Sequence, residues 1–340
     1  MMVPHCSILA AGLLWASAAI AGYNPSSSNN LAIYWGQNSA GISNAAAAQK
    51  SLAQYCSNTK INIIPISFLS SIDPPKVDLA NIGTTNVGND ITACQKAGKT
   101  ILLSIGGATV TTGLSTAARA VTVADQIWAM FGPKGNSTTR PFGDAVIDGF
   151  DLDIEHSIAN LAPFAARLRA NMDKATTSSG RKFYLSAAPQ CPFPDQNNKI
   201  ILSGTSAVAF DFVMVQFYNN AQCDLRSYTG VTGQGFNMNT WDQWARTSKN
   251  PNVKIFLGVP GGKTAVSTSQ VASYKTSTQL APIIAFSKKF ASFGGVMVWD
   301  MSQVYANTGF LDGVSAALSA SKKRSEDTEA RSHQRDWILY

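Results

Sequence analysis

Asp148-Gly149-Phe150-Asp151-Leu152-Asp153-Ile154-Glu155 alternates apolar and acidic side chains from Phe150 onward. In a strand, alternate side chains share a face, so Asp151, Asp153 and Glu155 point one way and Phe150, Leu152 and Ile154 the other. Apolar groups on one face and flanking β-rich segments indicate a central strand of a parallel sheet. Three acids on the opposite face need a chemical reason, because buried unpaired charge is costly. Neighbouring acids stand roughly 6.6 Å apart and repel by about 2.5 kcal/mol at an effective dielectric of about 20, nearly two pKa units. The ladder therefore retains at least one proton at neutral pH, and its outermost member, Glu155, can serve as a general acid. A solvated edge strand and a calcium site are the competing readings of the same pattern.

Short β-rich runs recur on both sides of this stretch, separated by segments of helical periodicity, the pattern of parallel βα units. Eight are expected: Leu31–Trp35, Asn62–Phe68, Thr100–Ile105, Ala145–Glu155, Phe183–Ala187, Phe212–Phe217, Lys254–Val259 and Gly295–Trp299. Helices are expected at Ala45–Tyr55, Ala118–Phe131, Ile158–Lys174 and Pro282–Phe290. Eight units in about 300 residues have the size of a single (β/α)8 TIM barrel. An open doubly wound sheet would usually carry a glycine-rich phosphate loop after its first strand, and Tyr34-Trp35-Gly36-Gln37-Asn38 is not one. In a barrel the chemistry sits at the carboxyl ends of the strands, where Tyr34, Phe68, Gly106, Gly107, Glu155, Gln190, Gln216, Tyr218 and Trp299 fall.

The chain ends read differently. Ile8 to Ile20 is an apolar run too short to span a bilayer, followed by the small-residue pattern Ala19-Ile20-Ala21, so residues 1–21 read as a secretory signal peptide. Residues 22–320 form the expected catalytic domain. From Ser321 the charged run Lys322-Lys323-Arg324-Ser325-Glu326-Asp327 opens a tail, 321–340, with little to bury. Cys6 leaves with the signal, and Cys56, Cys94, Cys191 and Cys223 remain, an even set suited to an oxidising compartment. In barrel order Cys56 and Cys94 lie on neighbouring outer helices and Cys191 and Cys223 on adjacent loops, so those are the expected pairs. Asn136-Ser137-Thr138 is a glycosylation sequon.

The 340-residue chain is 45% hydrophobic and 14% charged, a balance that excludes bulk disorder. Its net charge of +7 comes from scattered Lys and Arg with no basic stripe, so no nucleic-acid partner is expected. The three histidines, His5, His156 and His333, suit neither a zinc site nor a Ser-His-Asp triad. His156 points away from the Glu155 face by alternation and reads as structural.

Two ordered motifs resemble the family 18 glycoside hydrolases: DxxDxDxE at Asp148–Glu155 and SxGG at Ser104-Ile105-Gly106-Gly107. Ile33-Tyr34-Trp35-Gly36-Gln37-Asn38, Ala187-Ala188-Pro189-Gln190-Cys191-Pro192 and Val215-Gln216-Phe217-Tyr218-Asn219-Asn220 look like the hevamine-like class III chitinases, and the likeness runs from about Asn30 to Ala317. The resemblance implies a secreted endo-acting chitinase, monomeric and without metal or cofactor, acting on chitin or N-acetylglucosamine oligosaccharides. Glu155 matches the proton donor, Asp153 the residue that orients the substrate acetamido group, and Asp151 the inner acid that shares a proton with Asp153. Tyr218 matches the tyrosine that holds the acetamido oxygen, with Gln216 beside it. Tyr34, Phe68 and Trp299 match positions lining the sugar site, and Gly106, Gly107, Gln190 and Asn219 belong to the same expected substrate-binding set. Ser67-Phe68 and Trp299-Asp300 match cis peptides. Two departures stand out: Pro65 inside the second strand, and Asp300 where relatives often carry Ser. Peptidoglycan or N-glycan cores are alternative substrates, and a non-catalytic lectin or inhibitor is the alternative class.

Overall fold

A computed structural model describes residues 22–110, 113–135, 139–232 and 235–320. The expected signal peptide, the tail and the Asn136 sequon lie outside the described residues. Among the described residues nine strands form one sheet: β1 (Asn30–Ile33), β2 (Ile63–Ser71), β3 (Lys76–Val77), β4 (Thr100–Gly106), β5 (Gly149–Asp153), β6 (Tyr184–Ala187), β7 (Phe212–Gln216), β8 (Lys254–Pro260) and β9 (Phe293–Trp299). All but β3 are parallel, and β1 pairs with both β9 and β2, closing a (β/α)8 barrel. β3 is a short antiparallel return on β2.

The helices are α1 (Ala53–Cys56), α2 (Val87–Lys96), α3 (Ala117–Phe131), α4 (Leu161–Ser179), α5 (Lys199–Leu202), α6 (Met238–Thr247), α7 (Ser277–Ser287), α8 (Met301–Ala306) and α9 (Phe310–Ser319). Strand alternation divides the apolar side chains into two layers. Leu31, Ile33, Phe150, Leu152, Val213 and Val215 pack outward against the helices. Ala32, Leu102, Phe212, Met214, Phe256 and Met297 fill the barrel interior. Tyr23 closes the lower end of that interior against Phe212 and Tyr184.

Several boundaries differ from the sequence reading, among them α4, which runs Leu161–Ser179 where Ile158–Lys174 is expected. The strand expected at Ala145–Glu155 is only Gly149–Asp153, so Glu155 stands beyond the last rung. The helix expected at Ala45–Tyr55 is a 3-10 turn at Ala45–Ala47 and the single turn α1. Between them buried Gln49 is tied into the loop after β1: its Oε1 accepts from the N–H groups of Gly36 and Asn38, and its Nε2 donates to Leu79 O. These bonds hold the segment away from helical geometry. The helix expected to begin at Pro282 begins at Ser277, where Thr276 and Gln279 form a reciprocal capping box.

Pro65 is tolerated in β2 because of where its missing donor falls. Its carbonyl accepts from Trp35 N, so its nitrogen faces the β1–β2 seam, where pairing is sparse. The two disulfides join Cys56 to Cys94 and Cys191 to Cys223, as the barrel order implied. The second bridges the loops after β6 and β7. Replacing Cys191 and Cys223 together by Ser is expected to cost about 2–4 kcal/mol, read as a lower denaturant midpoint. A midpoint unchanged from the parent would contradict this.

Candidate active site

The register of the parallel strands places the inner acid. Ser104 on β4 and Ser186 on β6 are the direct neighbours of Asp151 on β5, so all three side chains enter the barrel at one level. Both hydroxyls donate to the Asp151 carboxylate at 2.7 Å, and Tyr34 OH, from the end of β1, donates to it at 2.6 Å. Asp151 is fully buried. Burial raises its pKa, while the three hydroxyl donors favour the ionised form.

One level higher, Gln216 at the end of β7 gathers the other two acids. Its Nε2 donates to Asp153 Oδ1 at 2.9 Å and to Glu155 Oε1 at 3.1 Å, and also lies 3.0 Å from Ala188 O. Asp153 and Glu155 are thus side by side, bridged by one amide nitrogen. Burial pushes the Asp153 pKa well above the ordinary carboxylate range, and the charges of Glu155 and Asp151 push it further. Burial also raises the Glu155 pKa, against the opposing bond from Gln216. A carboxyl group whose pKa is raised, at the mouth of a cleft, is suited to protonating a leaving group.

These acids open into a cleft of about 420 Å³ lined by Tyr34, Gln37, Phe68, Thr109, Asp153, Glu155, Gln216, Tyr218, Asn219 and Trp299, with Thr264 to Ser267 forming one wall. Phe68 and Trp299 stack at 5.7 Å with an interplanar angle of 18°, and Tyr34 lies 5.5 Å from Trp299. The result is an aromatic wall against which a sugar ring can lie. The Ser67–Phe68 and Trp299–Asp300 peptides are both cis. Burial, followed by the charge of Asp153, raises the Tyr218 pKa well above its usual value, so its hydroxyl stays a hydrogen-bond donor.

Three expected binding residues do not line the cleft; they support it. Gly106 (φ +123°) passes so close to β5 that a Cβ would stand 2.1 Å from Asp153 O, and at Gly107 (φ +83°) a Cβ would stand 2.7 Å from the Phe68 ring. Gln190 turns sideways, its Oε1 accepting from Asn220 Nδ2. His156 is exposed, its Nε2 2.6 Å from Ala108 O, and it ties the β5 end to the β4 loop. Asp300 caps α8 through Gln303 N and accepts from Ser39 N and Ser302 Oγ, anchoring the chain after Trp299. Ser186 and the Thr264–Ser267 wall went unrecognised in the sequence; register alone reveals the first, and only the closed barrel brings the second over the acids.

The family model for glycosyl hydrolases family 18 matches residues 30–282. The chain is a family 18 glycosyl hydrolase. This hydrolase is 43% identical over 335 residues to Endochitinase 33 of Trichoderma harzianum, covering 93% of this chain and 100% of that one. It is 41% identical over 330 residues to a class III chitinase of Arthroderma benhamiae, covering 90% of each. Among solved structures, the hydrolase superposes on a xylanase-A-amylase inhibitor protein with TM-score 0.69 at 30% identity, over 85% of this chain and 98% of that one. It superposes on the ICChI chitinase from Ipomoea carnea with TM-score 0.67 at 28% identity, over 85% and 99%. No helix among the hydrolase's described residues is long and apolar enough to cross a membrane.

Proposed function

We propose that the protein is a secreted endo-acting chitinase that cleaves β-1,4 N-acetylglucosamine linkages with retention, using Glu155 as general acid and then base. The observation that carries this reading is the Asp153–Gln216–Glu155 bridge beneath an aromatic-walled cleft. A retaining enzyme with two carboxylates needs its nucleophile across the sugar, about 5–5.5 Å from the acid, whereas family 18 substrates supply their own. Asp153 sits on the same side as Glu155 and is badly placed to attack the anomeric carbon. It is well placed to accept the N–H of a 2-acetamido group, while Tyr218 holds the carbonyl oxygen for attack and an oxazolinium forms. Water then opens that ring with Glu155 as base. Relatives named as endochitinase and class III chitinase support chitin as substrate, and the two disulfides support secretion into an oxidising compartment.

This mechanism fixes the first product. Chitin oligosaccharides are expected to give the β-anomer initially, and fully deacetylated chitosan is expected to resist cleavage because its amine cannot attack. Anomer-resolved NMR of early product checks the first point; an α-anomer would overturn the mechanism. Side-by-side digestion of chitin, bacterial wall and high-mannose glycoprotein separates chitinase from lysozyme-like and N-glycan-cleaving activity. The likeness to an inhibitor protein favours one further reading, sugar or protein binding without turnover. Saturable binding with no reducing ends released would establish it.

A further inference from the structure

β5 ends at Asp153, and the ladder's last bonds on it are Ala188 N to Leu152 O and Gly107 N to Asp153 O. The backbone that carries Glu155 therefore runs past the sheet. Its carbonyls find their donors on side chains: Asn198 Nδ2 donates to Ile154 O at 2.9 Å, and Asn197 Nδ2 donates to Glu155 O at 2.8 Å. Both asparagines come from the loop after β6 and are set by one carboxylate. Asp195 Oδ1 accepts from Asn197 N at 2.9 Å, Asn198 N at 2.7 Å and Asn198 Nδ2 at 2.9 Å, and Oδ2 accepts from Gln190 N at 3.0 Å. Asp195 is 3% exposed, and none of the ion pairs among the described residues includes it.

We propose that Asp195, Asn197 and Asn198 form a positioning clamp on the catalytic glutamate, fixing its backbone beyond the sheet and holding a fourth carboxylate beside the acid pair. The proposal rests on the reading of Glu155 as the acid. Four N–H donors meet this buried carboxylate, and it has no ion-pair partner among the described residues. The ionisable groups around Glu155 are Asp151 and Asp153 on β5, His156 next in the chain, Asp195 from the β6 loop and Tyr218 after β7. Of these, His156 favours the ionised form of Glu155, and Asp195 favours the proton. The clamp thus acts twice, on where the acid stands and on when it is loaded. Asparagine in place of Asp195 would keep an acceptor for the Asn197 and Asn198 donors while removing the charge.

The test compares Asp195→Asn, Asn197→Ala and Glu155→Gln in the full chain, reading kcat and KM on a soluble N-acetylglucosamine oligosaccharide across pH, with melting temperature measured alongside. Asp195→Asn is expected to move the alkaline limb of kcat/KM to lower pH by about half a unit, because Glu155 then loses its proton sooner. Asn197→Ala removes a tether at a half-buried position; kcat is expected to fall about 10- to 100-fold with KM within about twofold and the limb in place. A purely structural role would lower the melting temperature of both variants and leave the limb unmoved. The clamp is overturned by a folded Asp195→Asn protein whose limb superimposes on the parent, or, where that variant does not fold, by parental kcat in Asn197→Ala. Parental turnover in Glu155→Gln would instead remove the acid itself, and the clamp with it.

Discussion

Glu155→Gln is expected to lower kcat by about 10²–10⁴-fold, the contribution of general acid help, while KM for chitin oligosaccharides stays near the parental value. The change removes a proton and little else. Glutamine keeps an oxygen where Glu155 Oε1 accepts from Gln216, so the bridge to Asp153 survives. Stability moves the opposite way from activity. The folded-state pKa of Glu155 is raised, chiefly by burial, above an unfolded value of about 4.3. At pH below about 4.3 the side chain is protonated in both states, and parent and variant are alike in charge. As pH rises from there to the folded pKa, the parent loses stability because its unfolded state releases the proton more readily; above the folded pKa the loss is complete and constant. Melting curves at pH 4 and pH 7.5 are therefore expected to show a gain for Glu155→Gln that is larger at the higher pH. A variant that folds and turns over like the parent would exclude Glu155 from the mechanism. A variant less stable than the parent at pH 7.5 would contradict the raised pKa.

Much of the site was legible because period-two alternation is a backbone property. Once Asp148–Glu155 is a central strand, the common direction of Asp151, Asp153 and Glu155 follows without any partner being known. The partners themselves depend on register, which a single strand does not encode. Ser104 and Ser186 bond Asp151 because β4 and β6 align them with it, and a serine in a strand looks the same in either register. The loop asparagines Asn197 and Asn198 show the same limit more sharply. Asparagine is an ordinary turn former, so its sequence signal is used up by the turn, and its reach to Ile154 and Glu155 is visible only in the folded barrel. The same holds for Ala45–Tyr55, whose alanines favour helix while the bonds from Gln49 draw the chain back to the β1 loop. Local propensity there yields to buried polar satisfaction.

Asp153→Asn separates charge from shape at the centre of the ladder. Asparagine is nearly isosteric, and its oxygen can keep the 2.9 Å bond from Gln216 Nε2, so the variant is expected to fold. Its melting temperature is expected to match or exceed the parent's at neutral pH, since burial and the neighbouring acids all oppose ionisation at this position. Catalysis needs what those neighbours oppose. When the acetamido oxygen attacks the anomeric carbon, its nitrogen becomes positive, and a carboxylate beside that N–H stabilises the charge as it develops, whereas a neutral amide supplies only a dipole. In the proposed mechanism the carboxylate form of Asp153 is reached by passing its proton inward to Asp151, whose carboxylate is held by three hydroxyl donors. The amide of the variant has no proton to pass and no charge to gain. The expected result is a kcat lower by about 10²–10³-fold, comparable to losing one oxyanion-hole donor, with KM changed far less. Steady-state kinetics on an N-acetylglucosamine oligosaccharide, with the anomer of the first product recorded, checks both parts. A folded Asp153→Asn protein within a few-fold of parental kcat would mean that the developing nitrogen charge is stabilised from elsewhere, and would remove Asp153 from the mechanism.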